Sequence, residues 1–177
     1  AFAKQGGIFQ MVQLWVNLPA KHKMTPPTYQ EILSQSIPEI ELSNSSGSIR
    51  VIAGEHEGQV GPAKTFTPMN VFDIRLKKGE ELVLPAPNGW NASVVVLRGA
   101  LESAGERGAV AQDAKMLIFS QDGQDIKVKA LEDTVALLLS GEPIAEPIVG
   151  YGPFVMNTRE EINQAISDFN QGAFGSI

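Results

Sequence analysis

The chain has 177 residues, enough for one domain or two small ones, and its 43% hydrophobic residues can form a buried core. Its net charge of −6 argues against direct nucleic-acid binding, which depends on clustered Lys and Arg. The absence of cysteine excludes disulfides and thiolate chemistry, and no apolar run reaches the roughly 20 residues that span a bilayer. The first ten residues, AFAKQGGIFQ, lack the zones of a signal peptide, so we expect a cytoplasmic protein without membrane contact.

The first predicted element is a strand over Met11–Pro19, where apolar and other side chains alternate. Gln13, Trp15 and Asn17 share one face of this strand. A long connection follows, with at most a short helical turn near Tyr29–Ser34, because two adjacent prolines interrupt it.

Ser43–Ser48 is predicted to be a flexible tip, and short apolar runs separated by glycine and proline begin after it. This rhythm is typical of an all-β sandwich or barrel. The predicted strands are Ser48–Ala53, Val71–Leu76, Glu81–Leu84, Ala92–Arg98, Lys115–Ser120, Gln124–Ala130 and Thr134–Ser140. On the second of them, Asp73 and Arg75 should form a surface ion pair.

One helix is predicted at the C-terminal end of the chain. Thr158 and Glu161 have the spacing of a capping box, and Gly172 supplies a stop. The stripe that should face the core consists of Ile162, Ala165, Ile166 and Phe169.

The stretch Gly79–Gly99 fits the spacing of the first cupin motif, which places two His and one Glu between two glycines. Here Pro85 and Pro87 occupy the His positions and Ala92 occupies the Glu position. None of these side chains can donate an electron pair to a cation. The motif therefore predicts a cupin barrel without a metal site.

Two blocks, MVQLWVNLPAKHKMTPPTYQEI and SGEPIAEPIVGYGPFVMNTREEINQAISDF, closely resemble matching segments of the pirin family. The resemblance implies two cupin barrels in tandem and a C-terminal helix. It implies iron or another divalent metal in the first barrel only, held by three His and one Glu. Bacterial and human members have been assigned quercetin 2,3-dioxygenase activity, and a mammalian member is a nuclear, iron-dependent cofactor of transcription.

On this resemblance, residues 1–45 are a partial first barrel with its connection. Residues 46–142 are a second, metal-free cupin barrel, and residues 143–177 are a return strand and the C-terminal helix. The chain resembles a pirin without its N-terminal third, with every metal ligand upstream of residue 1. We therefore expect no catalytic residue, no metal ligand and no cofactor in this chain, and the metal only in an intact family member.

Two functions remain open at this stage. The chain is a non-catalytic structural or protein-binding form, or it is a portion of a metal-dependent quercetin 2,3-dioxygenase. In the second case Gln13, Trp15 and Asn17 are candidates for the wall of the substrate cavity; otherwise they are interior polar residues that bond neighbouring loops.

Two further expectations concern histidine and partners. His56, between Glu55 and Glu57, is either a weak cation site or a surface turn, and His22 lies in a polar loop. The apolar first-barrel segments MVQLWVNL and GYGPFVMN should pair with a second chain, which predicts a homodimer. Another protein partner is the alternative.

Overall fold

The computed structural model describes residues 6–7, 11–104 and 108–174. The chain forms two compact units. One unit runs from Met24 to Ala145, and the other combines the described residues up to Lys23 with those from Glu146 onward. Within the described residues, no helix is long and apolar enough to cross a membrane.

The larger unit is an antiparallel β structure of two main sheets. A six-stranded sheet has the order β1-β2-β5-β12-β7-β10, a four-stranded sheet has the order β6-β11-β8-β9, and β3 and β4 form a hairpin. The strands are β1 (Glu39–Glu41), β2 (Gly47–Ala53), β3 (Glu55–His56), β4 (Gln59–Val60), β5 (Met69–Leu76), β6 (Glu81–Pro85), β7 (Asn91–Arg98), β8 (Ala100–Ser103), β9 (Val110–Gln112), β10 (Lys115–Phe119), β11 (Asp125–Ala130) and β12 (Thr134–Gly141). The predicted all-β class with one C-terminal α-helix is confirmed.

Strand β12 lies inside the six-stranded sheet. It pairs with β5 over its whole length and with β7 from Val135 to Gly141. The two halves of the sheet, β1-β2-β5 and β7-β10, are therefore joined through this one strand.

The core is formed by side chains at every second position along the strands. On β5, Asn70, Phe72, Ile74 and Leu76 are buried, and the residues between them face outward. Alternating side chains of an antiparallel strand point to opposite faces, so one face of each sheet supplies the barrel interior. Aliphatic residues of β2, β6, β7, β11 and β12 complete the same cluster around Phe72, which is 0% exposed.

Charged side chains occupy the outer face of the sheet. The Asp73 carboxylate accepts hydrogen bonds at 3.2 Å from Arg75, as predicted, and at 3.2 Å from Arg50 on the neighbouring strand. On the other sheet, Lys127 Nζ lies 2.6 Å from Glu81 Oε2, and this hydrogen bond lowers the pKa of the Glu81 carboxyl.

The smaller unit contains the hairpin β13 (Val149–Tyr151) and β14 (Phe154–Met156), followed by helix α1 (Arg159–Asn170). The predicted capping box is present: Thr158 Oγ1 accepts from the Glu161 amide, and Glu161 Oε2 accepts from the Thr158 amide. Gly172 follows the helix with φ +74°, as a stop requires.

Four residues of α1 were predicted to face the core, and two of them are buried. Ile162 and Ala165 are buried and Ile166 is half-buried, but Phe169 is 61% exposed. The Phe169 ring packs at its edge against Phe154, with centroids 6.2 Å apart, and it also lies beside the Phe174 ring at 6.4 Å.

One local prediction was wrong, and two others were partly right. The described residues pair no strand with Met11–Pro19, so its alternation produces exposed irregular chain instead of a sheet strand. The helical turn expected near Tyr29–Ser34 lies at Ser34–Ser36, after the prolines. The predicted tip Ser43–Ser48 does connect two strands, β1 and β2; its turn includes Asn44 and Ser45 at positive φ, and β2 already begins at Gly47.

Candidate functional site

The cupin motif spans strands β6 and β7 and the connection between them. Its two glycines, Gly79 and Gly99, have φ +87° and φ +90°, the left-handed region in which glycine has no steric cost. Pro85 ends β6 and Pro87 lies in the connection to β7. Ala92 is buried near the start of β7, with Phe119 and Ser140 as its neighbours on the adjacent strands.

A depression of about 490 Å³ opens where these strands end, and we call it the mouth depression. Its walls include Pro85, Pro87, Trp90, Met69, Asn70 and Glu55. Both prolines of the cupin motif thus contribute rings to a mostly apolar wall.

The side-chain amide of Asn70 is a polar group of the mouth depression, and its neighbours hold it in place. Asn70 is buried on β5, and its Nδ2 donates to Ser140 Oγ at 3.3 Å. Asn70 Oδ1 lies over Gly54, which has φ +84° and could not carry a Cβ without colliding with that oxygen. Gly54 therefore permits the close approach that holds the amide in place.

The β3–β4 hairpin carries His56 beside this mouth. Glu57 and Gly58 both have positive φ, as the two-residue hairpin turn requires, so the interpretation of this stretch as a turn agrees with the structure. The His56 ring packs on Phe72 with centroids 5.4 Å apart. Among the described residues, no group of three His, Asp or Glu side chains could hold a metal ion.

The candidates for the substrate cavity lie in the smaller unit. Trp15 is 68% exposed, and Gln13 is exposed as well. Asn17 is half-buried, and its Oδ1 accepts a hydrogen bond of 2.7 Å from Lys23 Nζ, which also donates to the carbonyl of Val155. Their role in a substrate cavity stays a prediction.

A polar cluster near Asn157 was not predicted from the sequence. Asn157 Nδ2 donates to Glu146 Oε2 and to the carbonyl of Pro147, and the same Glu146 oxygen accepts from the Ala20 amide at 2.7 Å. Asn157 Oδ1 is buried and has no hydrogen-bond partner among the described residues. A buried acceptor of this kind is uncommon in folded proteins.

A comparison with models of protein families shows which family this chain belongs to. The model of the pirin C-terminal cupin domain matches residues 71–175. The chain belongs to the pirin family. The predicted cupin fold and the predicted family are thereby both confirmed.

Relatives of this pirin carry two kinds of name. A Pseudomonas aeruginosa protein named as a candidate quercetin 2,3-dioxygenase is 47% identical over 98% of this chain and 59% of its own length. A pirin-like protein of Solanum lycopersicum is 39% identical over 93% of this chain and 56% of its own length. The crystal structure of a quercetin 2,3-dioxygenase from Acinetobacter baumannii has a TM-score of 0.94 at 49% identity, covering 99% of this chain and 60% of that one. The chain thus spans about three-fifths of the length of these relatives.

A divalent metal does not fit the motif positions of this barrel. The nitrogen of a proline within a chain is part of an amide and has no free electron pair, and the alanine side chain is a methyl group. Iron and related cations need imidazole, carboxylate or thiolate ligands. Pro85, Pro87 and Ala92 offer none of them.

Proposed function

We propose that this pirin chain acts by binding another polypeptide and has no catalytic centre of its own. The observation that supports this proposal most directly is the side-chain chemistry of Pro85, Pro87 and Ala92 at the three ligand positions of the cupin motif. The relatives named as dioxygenases are longer, so their activity does not transfer to this chain by similarity alone. A cytoplasmic location, expected from the sequence, is part of the proposal.

A second candidate function is that of a portion of a quercetin 2,3-dioxygenase. The identity of 47–49% with proteins of that name over nearly the whole chain favours it. In this case iron or another divalent metal would be held by the part of the relatives that this chain does not span. Gln13, Trp15 and Asn17 would then contribute polar and aromatic groups to the wall of the substrate cavity.

Metal loading and turnover test the first function, the absence of a catalytic centre in this chain; the second function places the metal outside it. We expect the purified chain, incubated with Fe²⁺ without oxygen and then desalted, to retain far less than one metal per chain. We also expect no quercetin-dependent oxygen uptake. Metal is measured by inductively coupled plasma mass spectrometry, and the A. baumannii enzyme is the positive control for turnover. Stoichiometric metal together with quercetin-dependent oxygen uptake would contradict the first function.

We propose a second copy of this chain as the polypeptide partner. Large apolar side chains lie exposed along 11–16, among them Met11, Leu14 and Trp15. No described strand pairs with this segment, so its backbone donors and acceptors are available for pairing. A second copy presents the same segment, and antiparallel pairing about a twofold axis would satisfy both at once.

Light scattering after size exclusion tests this dimer. We expect the unaltered chain to have about twice the 19.0 kDa chain mass, and Trp15→Lys to shift the species toward one chain mass. Ile118→Lys is the matched control, because Ile118 is 76% exposed on strand β10 of the other unit. A monomeric unaltered chain, or a dimer lost in Ile118→Lys and kept in Trp15→Lys, would refute the proposed interface.

A further inference from the structure

The mouth depression is an open, solvent-facing concavity with a mostly apolar wall. Its volume of about 490 Å³ lies within the roughly 300–1,000 Å³ of ordinary ligand pockets. We infer that it binds a small aromatic molecule that is uncharged or positively charged. This inference does not depend on the proposed polypeptide binding, which concerns the other unit.

The walls favour a flat ring. Trp90, Pro85 and Pro87 all line the depression and supply one indole and two saturated rings to its wall. Aromatic rings gain contact with such surfaces beyond simple area burial, by stacking on tryptophan. The Met69 thioether adds a polarizable group that contacts aromatic rings favourably.

The floor supplies one directional polar group. The Nδ2 of Asn70 is engaged by Ser140, and its Oδ1 is held over Gly54 at the depression. This oxygen is an acceptor in a fixed position. A ring that carries an N–H or O–H donor at its inner edge would satisfy it, and such a donor gives the site an orientation as well as a shape.

The charge of the lining residues indicates which ligand charge the mouth depression prefers. Among the described residues that line the mouth depression, Glu55 is the one that carries a charge, and it is exposed. In this part of the chain no Lys, Arg or His lines the site to balance an anion, and the whole sequence carries a net charge of −6. An anionic ring should therefore bind more weakly than its neutral analogue, and a cationic ring should bind more tightly.

Three probes with one ring test this order: indole, tryptamine and indole-3-acetate. The chain has two tryptophans, so a ¹⁵N-labelled sample gives one indole N–H signal from Trp15 and one from Trp90. We expect indole to shift the Trp90 signal with a dissociation constant of about 1 mM, as befits so small a ligand. Tryptamine should bind about 3-fold more tightly, a typical effect for an exposed charge pair, and indole-3-acetate more weakly than indole.

Two matched variants test whether Glu55 causes the preference for a positively charged ligand. Glu55→Gln should bring the tryptamine and indole affinities to the same value without loss of indole binding. Glu57→Gln is the control, because Glu57 lies on the neighbouring hairpin turn and does not line the depression. Indole-3-acetate binding as tightly as indole, a shift of Trp15 in place of Trp90, or a tryptamine preference that survives Glu55→Gln would overturn the inference. The absence of any shift at 10 mM probe would overturn it as well.

Discussion

Gly99→Ala is expected to lower the unfolding free energy of the barrel by about 4 kcal/mol, from backbone strain together with overpacking. Gly99 has φ +90°, which an alanine adopts only under strain. A Cβ at this position would also lie 2.5 Å from the carbonyl oxygen of Asp133 and 2.7 Å from Thr134 Oγ1. The Asp133 oxygen belongs to the backbone next to β12, so it cannot move aside without disturbing the central strand of the sheet.

Gly79→Ala is the matched control for this prediction. Gly79 has nearly the same φ, +87°, but a Cβ there would meet no atom of the described residues within 4 Å. Its cost should therefore be backbone strain alone, about 1–2 kcal/mol. Urea unfolding measures both variants, in a Trp15→Phe background so that Trp90 fluorescence reports on the barrel. Equal losses in the two variants would contradict the steric argument.

Phe72→Ala should lower the unfolding free energy of the barrel by about 3–5 kcal/mol, as is usual for removing a fully buried aromatic ring. The Phe72 ring is 0% exposed at the centre of the core, and the His56 ring packs on it from the β3–β4 hairpin. The variant should therefore lose both core packing and the support of that hairpin. The same urea unfolding assay measures the loss.

Val83→Ala is the control for the core prediction. Val83 is 51% exposed on β6, between the buried Leu82 and Leu84. Its truncation should change the unfolding free energy by less than about 1 kcal/mol, since an exposed side chain has few contacts to lose. A Val83→Ala loss as large as that of Phe72→Ala would show that the alternation of inward and outward residues is misassigned.

The long strands of the barrel were predictable from the sequence because their packing is periodic. Each strand from β5 to β7 and from β10 to β12 was located to within two residues at either end. The strands that the sequence did not reveal are two to four residues long, such as β1, β8 and β9, and too short to display an alternating pattern. Met11–Pro19 shows the opposite failure: alternation predicts a strand only where a neighbouring strand supplies hydrogen bonds.

The sequence predicted which residue types occupy the motif positions of the candidate site, but it did not predict the shape of the site. The spacing from Gly79 to Gly99 identified Pro85, Pro87 and Ala92 as the motif positions without reference to any structure. The mouth depression, in contrast, joins these prolines with Met69 and Glu55, which are distant along the chain. Only the pairing of the strands brings those residues together, and local sequence patterns do not encode such long-range proximity.

The central position of β12 has a consequence for how the barrel is made. During synthesis, β1, β2 and β5 leave the ribosome early, and β7 and β10 follow, yet nothing joins the two halves of the sheet until Gly141 has emerged. Until then β5 and β7 each present an unpaired apolar edge, the kind of surface on which nascent chains aggregate. The six-stranded sheet can therefore be completed only after β12 is available, and we expect its assembly to be slow, because contacts such as Phe72 with Leu138 close a long loop of chain.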